Sequence, residues 1–177
     1  MKNKHAQAGV TLMELMVVVA IAAIMAAMAA PSFTSFINDT KQSSAVTQLV
    51  GDLNRARSEA IKRNTRVLFC MRNTAGTDCG TGTNWQNGWL VCQDSTNDSV
   101  NNCDATTTAN PNPIAVHQAL NSKLTLAGSL NATTPIRFNP SGTQGTAGAA
   151  TLALNGTWSG ATAKTISIAA TGYISKP

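Results

Sequence analysis

Charge and aromatic side chains are scarce in this sequence: 12 % of its 177 residues are Asp, Glu, Lys or Arg, 5 % are aromatic, and tyrosine occurs once. A chain so thin in titratable groups has little from which to build acid–base chemistry. Of its two histidines, His5 lies in the polar head, which leaves His117 alone, without a neighbouring cysteine or carboxylate motif. No G-x-S-x-G, P-loop, H-E-x-x-H or dinucleotide fingerprint occurs. An enzyme is therefore not expected, and no cofactor is implied. C-x-x-C pairs are missing too, which removes a cysteine-only zinc site. Asp94, Asn97, Asp98 and Asp104 put oxygens into one polar stretch, but no Gly follows Asp98 and no Glu closes the loop, so calcium spacing fails and no metal is expected.

What the sequence does have is one long apolar run, Val10 to Ala30, 21 residues interrupted only by Thr11 and Glu14. At 1.5 Å rise per residue such a helix covers about 30 Å, the thickness of bilayer hydrocarbon. The polar head in front of it carries Lys2 and Lys4, and basic residues beside a span stay on the cytoplasmic side. The bulk of the chain then lies outside, on a single pass. A conventional secretory signal fits less well, because the run is too long and no A-x-A site with a polar mature start is convincing. Glu14 is the misfit. An ionised carboxylate near the end of a span is costly unless compensated. A cut between Gly9 and Val10 would free an α-amine four residues ahead of it, and a neighbouring copy shifted by about a turn would present that amine well. Pairing then sets the stagger between subunits.

Gly9 followed by Val10-Thr11-Leu12-Met13-Glu14-Leu15 resembles the class III signal of type IV pilins and type II secretion pseudopilins. The resemblance implies a membrane peptidase that cuts after Gly9 and methylates Val10, and it implies that Glu14 meets the amine of an adjacent subunit in a helical filament. Pro31 matches the helix-bending proline of such chains, whereas Val10 stands where Phe or Met is commoner. An inner-membrane assembly platform, membrane lipid and other pilins are the implied partners. The implied location is the bacterial inner membrane, with the ectodomain in the periplasm, and afterwards an extracytoplasmic pilus or pseudopilus.

The organisation expected is a leader at 1–9, a membrane-spanning helical half at 10–30, an amphipathic helical half at 31–64, and a β-rich periplasmic domain at 65–177. In the second helical half, Phe33, Phe36, Ile37, Val46, Leu49, Val50, Leu53, Ala56 and Ala60 recur at three- and four-residue steps, one stripe to set against a sheet. Arg55, Glu59 and Arg63 sit four apart on an exposed face, and Gly51 permits a local bend. Beyond Asn64 the period changes to two. Strands are expected at Arg66–Met71, Gly88–Gln93, Ile114–Gln118, Lys123–Ala127, Pro135–Asn139, Ala150–Leu154, Lys164–Ala169 and Tyr173–Ser175, with a surface loop over Ser95–Asn112. A helix followed by a strand series is an α+β fold, an antiparallel sheet against the carboxyl half of a long helix.

Cys70, Cys79, Cys92 and Cys103 all lie on the outward, oxidising side. Four cysteines allow three pairings. Cys70–Cys79 and Cys92–Cys103 are preferred because each pair brackets a turn-rich loop.

A narrower resemblance follows. Leu53 to Ala60 (LNRARSEA), Cys70, and Trp85-Gln86-Asn87-Gly88-Trp89-Leu90-Val91 are similar to the GspH/FimT family of minor pilins and pseudopilins, over the anchor, helix and first two strands. Read from the residues, Arg57 and Glu59 are a solvated helix face, and Trp85 and Trp89 are packing groups. The resemblance implies a minor pilin of pilus initiation or tip; the alternatives are a type II secretion pseudopilin and a DNA receptor for transformation. DNA-binding relatives carry a Gly-Arg-x-Arg tail, but this tail reads Gly172-Tyr173-Ile174-Ser175-Lys176, without either arginine. Tyr173 and Lys176 remain as candidate DNA contacts, with Lys62, Arg63, Arg66 and Arg72 as a basic stretch that also suits a helix end. The net charge of +5 includes Lys2 and Lys4 of the leader, so the mature excess of three is too small to argue for nucleic acid by itself.

Overall fold

A computed structural model describes residues 9–80, 85–96, 102–108, 110–128, 135–145 and 149–176, with the side chains of 28–32 left out. The leader residues ahead of Gly9, and Asn97 and Asp98, lie outside the described residues. The chain forms two units, Met1–Ile37 and Asn38–Pro177, and helix α1 (Leu12–Arg63) contributes to both.

The first unit is the amino-terminal part of α1. The alanine-, leucine- and methionine-rich sequence favours helix, and the β-branched valines are tolerated where no strand partner competes. Every described residue from Gly9 to Ala27 is exposed. Among the described residues no helix is long and apolar enough to cross a membrane.

The second unit holds the core. On α1, Ala45, Val46, Leu49, Leu53, Ala56 and Ala60 are buried, at the spacing of one helical face. The expected stripe starts later than the sequence pattern has it: Phe33, Phe36 and Ile37 are exposed. Within the second unit the helix is tied to the sheet side from its start: Trp158 Nε1 donates to Asp39 Oδ1 at 3.1 Å and Gln42 Nε2 donates to the carbonyls of Leu154 and Thr162, each at 2.9 Å. α1 continues through Gly51 and closes at Asn64, whose φ of 49° is left-handed. Thr65 N donates to Ala60 O and Asn64 N to Ile61 O, the paired bonds of a Schellman stop.

All eight expected strands form: β1 (Val67–Met71), β2 (Trp89–Gln93), β3 (Ala115–Val116), β4 (Leu124–Gly128), β5 (Ile136–Phe138), β6 (Ala150–Gly156), β7 (Lys164–Ile168) and β8 (Ile174–Ser175). β3 is shorter than expected and β6 longer. They form two antiparallel sheets rather than one, in the orders β3-β2-β1-β5 and β4-β6-β7-β8. Both contribute to a single core against α1, through Val67, Phe69, Met71, Trp89, Val91, Ile136 and Phe138 from the first and Leu124, Leu126, Leu152, Leu154, Ile166 and Ile168 from the second. Burying a side chain of this size stabilises by about 1.5–3 kcal/mol.

β1 is buried on both faces. Its odd-numbered residues enter the main core, while Leu68 and Cys70 join Leu90 and Cys92 of β2 in a second cluster on the other face. Two disulfides cover that cluster, Cys70–Cys79 and Cys92–Cys103, the preferred pairing. The loop expected over Ser95–Asn112 has no helix or strand among its described residues. Asp104 orders it by accepting Ser95 N at 3.0 Å and Gln93 Nε2 at 3.2 Å.

Candidate functional site

At the amino end, Gly9, Val10 and Thr11 precede α1 without helical structure, and Val10 is 71 % exposed. Thr11 is the helix cap: its Oγ1 accepts the backbone N–H of Glu14 at 3.2 Å and its carbonyl accepts Leu15 N at 3.1 Å. T-x-x-E is the signature of a capping box, a reading of Thr11 and Glu14 that the pattern of the apolar run obscures. Glu14 therefore stands in the first helical turn, where a carboxylate also complements the helix macrodipole. Around it the surface is apolar on every side, with Leu12, Met13, Met16 and Val18 all more than 60 % exposed. Such a helix asks for cover, and it offers one charged group to whatever supplies it.

The candidate DNA contacts are spread through the second unit. Lys62 is exposed, 3.8 Å from Glu59. Arg63 Nε donates to Glu59 Oε2 at 2.6 Å, and the Arg63 guanidinium beside Glu59 holds its carboxyl below the usual glutamate range. Arg66 pairs at 2.6 Å with Asp94, which is fully buried, and also donates to Thr96 O. Arg72 donates to Gln118 Oε1 at 2.9 Å. Arg66 and Arg72 flank β1, so about 20 Å of strand separates them and they form no joint patch. Tyr173 and Lys176, at the two ends of β8, are exposed.

Two residues do more than the sequence reading allows. Arg57, expected on a solvated face, is half-buried: its Nε donates to Gly142 O at 2.9 Å and a terminal nitrogen reaches Thr171 O at 3.4 Å. It clamps the turn after β5 to the turn before β8, which lie far from it in sequence. Asp78 accepts both Cys79 N and Cys103 N on one oxygen, each at 2.7 Å, so one carboxylate joins the two disulfide loops. No short-range pattern announces either role.

The described groups of metal-ligand type are Cys70, Cys79 and Cys92, and Asp78, Cys79 and Cys103. Their sulfurs are all in disulfides and offer no thiolate. Asp94 is committed to Arg66 and Thr96. Trp85 and Trp89 are buried, as packing groups. His117 follows β3, stacks on Trp89 with ring centroids 3.8 Å apart, and places its ring nitrogens 2.8 Å from Gln118 O and 2.5 Å from Gln48 Oε1. Neither contact is to a nucleophile.

Two crystal structures of the type IV minor pilin FimU from Pseudomonas aeruginosa resemble the chain. One, in space group P21, gives a TM-score of 0.57 at 19 % identity over 80 % of this chain and 92 % of FimU. The other, in space group P65, gives 0.52 at 18 % identity over 76 % and 91 %. At that identity the likeness is one of fold: a long amino-terminal helix packed on antiparallel sheet. No curated protein sequence matches the chain. Residues 4–30 match the prokaryotic N-terminal methylation motif, which covers Gly9, Val10 and Glu14. Residues 45–172 match the family described as type II transport protein GspH, and the chain belongs to that family.

Proposed function

We propose that this protein is a minor type IV pilin, a structural subunit and not a catalyst. The observation that carries the reading is the pairing of an exposed apolar helix, with one carboxylate in its first turn, to a domain whose core is complete from Ala45 onward. The helix is then free to be covered by lipid first and by other subunits later. Cleavage between Gly9 and Val10 releases the amine, a prepilin peptidase methylates Val10, and Glu14 pairs with the corresponding amine of a neighbour. Residues 10–30 cross the inner membrane once, with the domain in the periplasm. An assembly platform then passes the subunit into the filament, where a low-abundance role at initiation or at the tip fits a minor component.

The second reading, a minor pseudopilin of type II secretion, is favoured by the description of the matched family as a type II transport protein. One deletion strain assayed for surface pili and for secreted enzymes separates the two. Loss of pili with normal secretion supports the first reading; the reverse supports the second. Substitution of Gly9 should leave the leader attached, seen as a heavier intact mass, and normal maturation would remove the cleavage site from the proposal.

A further inference from the structure

Four lysines of the second unit, Lys41, Lys123, Lys164 and Lys176, gather at one end of it. Lys123 precedes β4, Lys164 opens β7 opposite Leu154, near the end of β6, and Lys176 follows β8 as that strand runs back along β7. These three lysines therefore share one end of the second sheet. The same end meets residues 39–47 of α1, through the Gln42 bonds to Leu154 and Thr162 and the Trp158 bond to Asp39. Lys164 and Lys176 line one groove beside the helix, of about 220 Å³, together with the hydroxyl-bearing Ser43 and Thr47. Lys41 lines a second groove, with Leu124 and His117. Among the described residues none of Lys41, Lys123, Lys164 and Lys176 is in an ion pair, and Asp39 is the acid that faces them from α1.

The opposite pattern holds for the acids. Asp52 accepts from Trp89, Glu59 holds Arg63, Asp78 joins the disulfide loops, Asp94 holds Arg66 and Asp104 orders the loop after β2. A second copy of the domain thus has few free carboxylates to offer these lysines. The chain itself indicates the partner. Asn38 is the first residue of the unit, and only residues 31–37 separate it from the apolar run. The lysine-bearing end is the end at which the chain enters from that run.

We propose that this end is a docking surface for anionic phospholipid headgroups, which holds the domain against the membrane before the subunit leaves for the filament. The inference rests on residues 10–30 being a membrane span. Lysine suits the task, since a point charge on a flexible stem meets phosphates without a fixed geometry. Each such cation contributes within roughly a Debye length of the surface, about 10 Å at moderate salt.

The test uses the full chain in nanodiscs of phosphatidylcholine alone or with phosphatidylglycerol, and reads amine acetylation at each lysine by mass spectrometry. Lys41, Lys123, Lys164 and Lys176 should label about fivefold more slowly on the anionic discs at low salt, with the gap closing at high salt. Lys62, exposed at the other end of the helix and held near Glu59, should label equally on both. Equal rates at all five lysines, with the protein retained in both kinds of disc, would overturn the docking surface and leave the span intact. Failure to enter either disc would overturn the span and the docking surface with it. Protection of the same four lysines by duplex DNA on neutral discs, with none from phosphatidylglycerol, would give this end to nucleic acid instead.

Discussion

The indole N–H of Trp89 donates to a carboxylate oxygen of Asp52 at 2.8 Å, and joins the first residue of β2 to the carboxyl-terminal part of α1. Trp89 is 1 % exposed, so its donor has few alternatives. Asp52→Ala should cost about 1–3 kcal/mol in denaturant unfolding, because a buried N–H is left without an acceptor. Asp52→Asn keeps an acceptor and should cost less than half as much; equal costs would mean that the loss is one of packing.

The disulfides span 9 and 11 residues, and loop entropy assigns each about 2.5 kcal/mol. Replacing either pair with alanine should lower stability by roughly that amount. Because Asp78 serves both loops, the two losses should depart from additivity by about 0.5 kcal/mol or more. Strict additivity in a double-mutant cycle would show that the shared carboxylate couples nothing.

Glu59 has its carboxyl lowered mainly by its hydrogen bond from Arg63. A lowered folded-state value binds fewer protons than the unfolded chain. The contribution is therefore complete above the ordinary glutamate range and lost as pH falls through the lowered value. Unfolding measured from neutral to acidic pH should show a loss of about 0.5 kcal/mol that Glu59→Gln abolishes. An identical acid limb in the variant would refute the assignment.

Gly172 has a φ of 78°, and a Cβ there would meet the carbonyl of Gly142, the acceptor held by Arg57. Gly172→Ala should destabilise by roughly 2 kcal/mol or more, through left-handed strain and the clash together. A change within 0.5 kcal/mol, about the scale of a neutral surface substitution, would show that the two turns are free to part.

Cap and pairing roles at the amino end can be separated. Thr11→Val removes the acceptor for Glu14 N and should weaken the first helical turn by about 1 kcal/mol while the subunit still enters filaments. Glu14→Gln keeps the cap and removes the charge, so cleavage should proceed but incorporation should fall sharply. Filament fractionation reads the outcome; normal incorporation of Glu14→Gln would end the pairing account.

Much was decided locally. The apolar run, its single carboxylate and the glycine before it lie within a few residues of one another, and period-two segments between turn residues mark all eight strands. The disulfide partners are nine and eleven residues apart, close enough for loop composition to indicate the pairing. Residues contacting across long intervals were beyond such a reading. Arg57 meets carbonyls 85 and 114 positions away, so a side chain that patterns as solvated turns inward. The split into two sheets rests on which strands find one another, and β1 is buried twice because disulfide loops close over its outer face. Periodicity records which face of an element is apolar; only the packed chain settles what comes to lie against it, since that free energy belongs to pairs of surfaces and not to either segment alone.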